Sequence, residues 1–544
     1  MAGRKTLFAC VVLGIFCWQF IWNRKPDTLK LGQLQLDLTS SRLTIRSANG
    51  DVFSGALATD REFGDATIKP IECDNSRESS NKRCLLYPGL AKLEIKAINR
   101  GVGQSCYYIQ WQPFRNRFIT NDCFSLRGAH WFGGAEVFEQ HWPMNRQKSR
   151  MQPFQSGDVI SKEWLHSGAG KYGSILEPYW LSSAGIGIYV DPVVNLHSSF
   201  NQDDNQQLCF RADPASFVKP NDLRKKSSKL KYTICTAPDI KTVHSYMSNR
   251  FMERPMGQPD ERMMRSPVWS TWARHKTLVN QSLTLQYAQE IVDNGFTNSQ
   301  LEIDDKYTLT YGDLEWDPKK FPDAKGMVDQ LHAAGFRVTT WTHPFANIDS
   351  SSFHEGAERG LWLKDMTGTV PGLTEWWQGI AGVIDPTHIE AVNWFIQIHR
   401  EFMKRYGVDS FKFDAGEITY TPAFFSAKEQ PKNVNEFTQK YVEMVSSLGS
   451  MIEVRAGYRS QQYPVFVRML DKFSTWGYDN GLRTLIPTAL LMSILGYPYI
   501  LPDMIGGNAY SENDFSTSTI LPDRELFIRW AQLLTMDDII WMPN

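Results

Sequence analysis

The second half of this chain has no cysteine. Of eight cysteines in 544 residues, Cys10 and Cys17 lie in an apolar N-terminal run. The other six, Cys73, Cys84, Cys106, Cys123, Cys209 and Cys235, all precede residue 240. No CxxC…HxxxH spacing occurs, which argues against a zinc site, and neither metal nor cofactor is expected. An excess of either charge is lacking too, since 58 basic residues face 59 acidic ones. Without a basic surplus to neutralise phosphates, a nucleic-acid role has no electrostatic support. No repeat or low-complexity tract appears. No GxGxxG follows a strand-like run, which speaks against a dinucleotide fold. The remaining composition, 42% hydrophobic and 22% charged, is that of an ordered globular protein.

Aromatic surface is present in quantity: 13% of residues, with 18 tryptophans. Sugar rings offer C–H faces that stack on indole, although tryptophan also fills large cores. The apolar run at 7–22 lies between Arg4-Lys5 and Arg24-Lys25. It ends in bulky residues, so no small-x-small cleavage site follows it. We read it as an uncleaved transmembrane signal anchor near the lower limit of spanning length, with residues 1–6 as a cytoplasmic tail. The basic flanks are balanced and leave orientation open. The clustered cysteines and the sequon Asn280-Gln281-Ser282 favour a lumenal body, in the endoplasmic reticulum or Golgi. Disulfides are expected, paired sequentially.

Residues 28–252 show short alternating runs, for example 36–38, 93–97 and 186–190, which read as antiparallel strands of a β-sandwich domain. A Pro-, Met- and Arg-rich stretch at 253–267 reads as a linker. From 268 to 544 strand-like runs (268–273, 300–307, 336–343, 410–417, 451–457, 473–477 and 499–504) alternate with helical ones such as 283–294 and 326–334. Repeated β-then-α units predict a parallel sheet with crossover helices. Polar residues at the strand ends favour a (β/α)8 TIM-type barrel over a doubly wound sheet.

In such a barrel the catalytic groups sit at the C-terminal ends of strands. Asp414 closes the run Ser410-Phe411-Lys412-Phe413 and precedes a glycine turn, so its carboxylate is expected at the barrel mouth; the alternative is a helix N-cap. Asp471 lies two strands later. Cleaving a glycosidic bond needs two carboxyl groups, one ionised and one protonated, about 5–5.5 Å apart for retention of configuration. Asp479, beyond Trp476, is a rival for the second role. His343 reads as a satisfied core histidine.

The segment Lys412-Phe413-Asp414-Ala415-Gly416-Glu417 resembles the nucleophile segment of glycoside hydrolase family 31. Arg455-Ala456-Gly457, Asp471 and Trp476 are similar to the region around that family's acid/base. Further likenesses are Glu302-Ile303-Asp304-Asp305, Trp316-Asp317-Pro318, Trp377-Gln378-Gly379, Asp503-Met504-Ile505-Gly506-Gly507 and, upstream, His130-Trp131-Phe132-Gly133-Gly134-Ala135-Glu136. Together they cover residues 80–535. The resemblance implies a retaining α-glycosidase with Asp414 as nucleophile and Asp471 as acid/base. It implies that Arg455 binds a sugar hydroxyl and keeps the nucleophile ionised. Trp272, Asp304, Asp305, Trp377 and Lys412 are then expected around the substrate, although Glu302, Asp304 and Asp305 also suit structural charge pairs.

Two positions depart from the family's α-glucosidases. Lys412 and Arg468 stand where those carry aromatic residues, adding charge and removing stacking surface. The subgroup that looks similar here implies an α-galactoside. The alternatives are an α-glucosidase and a catalytically silent lumenal glycan-binding or folding factor. Members of the family continue into C-terminal β domains, so the end at Asn544 leads us to expect those domains to be missing and the barrel to stop short. Expected partners are an oligosaccharide or glycoconjugate substrate and the membrane, with a homodimer as a further expectation.

Overall fold

The computed structural model describes residues 28–47, 50, 52–58, 70–73, 80–99, 103–114, 119–159, 172–213, 229–510 and 521–535. The signal anchor expected at 7–22 lies outside them. Among the described residues no helix is long and apolar enough to cross a membrane.

The N-terminal part consists of two eight-stranded antiparallel sheets. Strict alternation explains how each strand contributes one face: along Ala91–Asn99, Ala91, Leu93, Ile95 and Ala97 are buried, while Lys92 and Glu94 pair on the other face. Inward residues of both sheets, such as Leu34, Ile45 and Phe124 from one and Leu93, Ile109 and Trp131 from the other, form one core. Cysteine pairing differs from the sequential expectation. Cys73 does join Cys84, but Cys106 joins Cys235 and Cys123 joins Cys209. Strand register decides this: Cys106 lies directly opposite Cys235 and Cys123 opposite Cys209 on neighbouring strands. Chain order carries no information about which strands become neighbours.

The expected linker contains a short helix, Glu261–Arg265. Among the described residues seven strands, against the eight expected, then run parallel in chain order: β1 (Val268–Ser270), β2 (Gln300–Ile303), β3 (Val338–Thr342), β4 (Ser410–Phe413), β5 (Glu453–Val454), β6 (Phe466–Arg468) and β7 (Ile500–Leu501). Helices follow most of them: α1 (Gln281–Asp293), α2 (Ala324–Ala333), α3 (Ile389–Tyr406), α4 (Glu436–Ser446), α5 (Leu485–Ile494) and α6 (Arg524–Thr535). Asn280, the sequon residue, caps α1 by accepting a hydrogen bond from the Leu283 amide. On α2 the buried residues Ala324, Met327, Val328 and Leu331 fall at the spacing of one helical face.

One strand differs from its expected place. Residues 473–477 are a loop closed by the Phe473 amide on the Asn480 carbonyl, and the sixth strand is Phe466–Arg468. Asp471 therefore follows its strand instead of preceding one, which puts it at the C-terminal mouth of the barrel with Asp414.

Candidate active site

On β4 the side-chain period of two sends Phe411 and Phe413 outward, where both contact His399 of α3. Lys412 and Asp414 share the opposite, inward face. Beyond Asp414 the backbone turns through two left-handed residues, Ala415 and Gly416. A Cβ on Gly416 would lie 2.4 Å from the Tyr441 ring, so only glycine fits this turn.

Asp414 is 8% exposed. Its Oδ2 accepts a hydrogen bond from Trp341 Nε1 at 2.8 Å, and its Oδ1 lies 3.3 Å from both Arg455 Nε and Arg468 Nη2. Burial alone pushes the carboxyl up. Arg455, Arg468 and Lys412, with the Trp341 hydrogen bond, outweigh it and hold the group well below the usual carboxylate range. Asp414 is an anion with defined geometry, which is the state a nucleophile needs.

Asp471 sits across the same guanidinium. Its Oδ1 is 2.7 Å from Arg468 Nη1, and its Oδ2 accepts from the Tyr510 hydroxyl at 2.7 Å. Burial raises this carboxyl as well, but Arg468 and Arg455 outweigh burial and the nearby Asp414, so it is held below its ordinary value. The structure thus brings the two expected carboxylates together. Asp479 lies apart from this contact: it is exposed and accepts from the Thr475 hydroxyl.

Beneath this pair lies a buried charge network. The Lys412 ammonium is 3.1 Å from Glu302, 2.9 Å from Asp304 and 3.9 Å from Glu453. For Glu302, Asp304 and Lys412 the structural charge pairing is what the contacts show. Asp305 accepts from Tyr311 and from Gln378, both at 2.8 Å, and burial lifts its carboxyl to about 6. Trp377 is 40% exposed, and the Arg455 guanidinium lies 5.3 Å from its ring centre. Trp272 joins the site through its indole N–H, which donates to Tyr510. His343 is buried among Trp341, Trp376 and Tyr311, and burial drops it to about 3.

Sequence reading missed several neighbours. Lys276 is buried with its ammonium 4.8 Å from the ring centres of Trp272 and Tyr510, and burial lowers it to about 8. The sandwich supplies others. Asp158 lies 3.3 Å from Arg455, Ser174 donates to Glu417, which also binds Arg455 at 2.7 Å, and Glu136 accepts from the Leu470 amide at 3.0 Å. Trp341 had a readable signal, an inward position at the end of a strand. Asp158 and Tyr510 had none, because loops bring them in from distant parts of the chain.

Two sequence profiles match. That of the glycosyl hydrolases family 31 TIM-barrel domain covers residues 263–536, and that of the myogenesis-regulating glycosidase N-terminal domain covers 119–233. The mouse (Mus musculus) myogenesis-regulating glycosidase is 43% identical over 98% of this chain and 73% of its own length. The SITS-binding protein of Tetronarce californica is 27% identical over 95% of this chain and 69% of its own length. Among solved structures, a family 31 sulfoquinovosidase from E. rectale in complex with an aza-sugar inhibitor has the same fold. It superposes with a TM-score of 0.67 at 15% identity, over 92% of this chain and 77% of its own. The barrel profile, the mouse relative and the shared fold agree, and this chain belongs to glycoside hydrolase family 31.

Proposed function

We propose that the protein is a retaining α-glycosidase acting on a terminal α-linked hexose by double displacement. Asp414 attacks the anomeric carbon while Asp471 gives its proton to the leaving oxygen; Asp471 then takes a proton from the water that hydrolyses the glycosyl ester. The observation that carries this reading is the meeting of an ionised Asp414, at the end of β4, and Asp471, beyond β6, on one guanidinium. Arg455 and Trp377 form a charged and a stacking wall beside them. We infer an α-galactoside as substrate, on the charged residues Lys412 and Arg468 in place of aromatic surface. Three disulfides support an oxidising, lumenal setting for the body, with the run at 7–22 as its anchor.

A second reading, a silent glycan-binding protein, has one observation in its favour: Arg468 holds Asp471 ionised, whereas a general acid must arrive protonated. The test is incubation with aryl α-galactoside and aryl α-glucoside, followed by a fluorosugar α-galactoside trap and peptide mapping. Turnover with an adduct on Asp414 is expected. Saccharide binding that survives Asp414→Asn, from a folded protein that turns over neither substrate, would establish the silent reading instead.

A further inference from the structure

Arg468 is the least expected part of the site, and its contacts are specific. Nη1 lies 2.7 Å from Asp471 and 3.1 Å from Asp503, Nη2 lies 3.3 Å from Asp414, and Nε lies 3.4 Å from Glu453. Its side chain is 8% exposed. A planar guanidinium presents donors in several directions at once, whereas an ammonium is a point charge. One cation therefore touches both proposed catalytic carboxylates, and Asp503 accepts a further hydrogen bond from its Nη1.

We propose that Arg468 is a positioning residue that acts as the common counter-ion of Asp414 and Asp471 through the whole catalytic cycle. This rests on the roles proposed above for the two aspartates. In the first step a bond forms from an Asp414 oxygen to the anomeric carbon, and the bond to the leaving oxygen breaks. Asp471 enters this step in its protonated form and gives its proton to that oxygen. Asp414 becomes a neutral ester and Asp471 a carboxylate, so the pair keeps one negative charge, which has moved from one aspartate to the other. In the second step water attacks the anomeric carbon, its proton goes to Asp471 and the ester bond breaks, returning the charge to Asp414. Because Arg468 reaches both ends, the charge never leaves a cation in this water-poor site, and no reorganisation is needed to follow it. Arg455 contacts Asp414 directly and Asp471 only at longer range.

The same bridge sets the pH window. Asp471 faces Arg468 and Tyr510 in contact, with Arg455, Asp414, Asp158, Asp503 and Lys276 around it. Asp414 faces Arg455, Arg468 and Trp341, with Lys412 and His343 beyond. Removing one cation that both share raises both carboxyls together, by roughly 1–3 pH units for a contact pair.

The experiment is the pH dependence of kcat/KM for an aryl α-galactoside in wild type, Arg468→Gln and Arg468→Lys. In parallel, calorimetry follows the pH dependence of binding of a galactose-configured iminosugar, a readout that needs no turnover. Both limbs of the rate profile, and the matching binding transitions, are expected to move upward in Arg468→Gln and less in Arg468→Lys. Limbs that stay in place while amplitude alone falls would overturn the proposal. If Arg468→Gln does not fold, Arg468→Lys decides, since a lysine cannot span both carboxylates. Loss of the Asp414 and Asp471 assignments shows up separately, as unimpaired turnover in Asp414→Asn, while the binding transitions still report on Arg468.

Discussion

Trp341 shows how much of the site depends on single hydrogen bonds. Its indole N–H is the only described donor to Asp414 Oδ2, and a hydrogen bond to a charged group is worth about 1.5–3 kcal/mol. Trp341→Phe keeps an aromatic ring, smaller than indole, and deletes the donor. The expected outcome is a fall in kcat/KM of about 10- to 100-fold with the low-pH limb moved upward, because Asp414 loses one contribution holding it ionised. Asp471→Asn is expected to lower the rate by about 10²- to 10⁴-fold for substrates with poor leaving groups. Azide should restore turnover to that variant by attacking the glycosyl ester from the α face, in place of base-activated water, and forming the α-glycosyl azide. Failure of both effects would remove Asp471 from the mechanism. Asp414 itself was legible because a period-two strand ending in an aspartate and a glycine turn is a local pattern. The role of Arg468 was not, since it depends on carboxylates from β4, β5 and the loops after β6 and β7 converging on one side chain.

Elements decide which residues can meet. Glu136 follows the sandwich strand Trp131–Ala135, yet its carboxylate accepts from Leu470, the residue before Asp471. A strand of one sheet thereby positions the loop that carries the proposed acid. Glu136→Ala is expected to lower kcat about tenfold or more with KM little changed, and Glu136→Gln, which keeps an acceptor, to recover most of it. Equal loss in both variants would show that the carboxylate charge, and not the hydrogen bond, matters. The strands were legible where alternation was strict, as along Ala91–Asn99, and misplaced at 473–477, where the loop geometry comes from a buried lysine. Lys472 is fully buried, with its ammonium on Asn480, Thr484 and Thr488. The partners of Cys106 and Cys123 were illegible for the same kind of reason: opposing residues on paired strands are a matter of register, which local sequence does not state.

At the scale of the whole molecule, the sandwich and barrel are joined by backbone as well as side chains. The Leu176 amide donates to the Gly457 carbonyl, and the Gly457 amide to the Ser174 carbonyl, so a sandwich segment runs beside the loop after β5. Glu177 lies at this seam, 2% exposed, accepting from the Arg459 amide and the Tyr497 hydroxyl. Burial lifts its carboxyl to about 7. The folded state therefore holds a proton that the unfolded chain releases near its ordinary value of 4.5. The associated stability is complete below that value and is lost as pH rises through about 7, an effect on the order of 3 kcal/mol. Wild type and Glu177→Gln should melt alike at pH near 5, whereas the variant should melt higher at pH near 8.5. Parallel melting curves across that range would show that Glu177 does not couple the seam to pH.

By itself the sequence determined the two-part architecture, the alternating β/α units and the identity of the aspartate at the end of the fourth barrel strand. These follow from hydrophobic period and from turn residues, which act over a few positions. Only the tertiary structure decided the two long-range cysteine pairs, the true sixth strand, the sandwich residues that brace the site and the cation shared by its two carboxylates. Each of those depends on long-range register and on charge balance in a buried space, where a group's partners come from segments far apart in the chain.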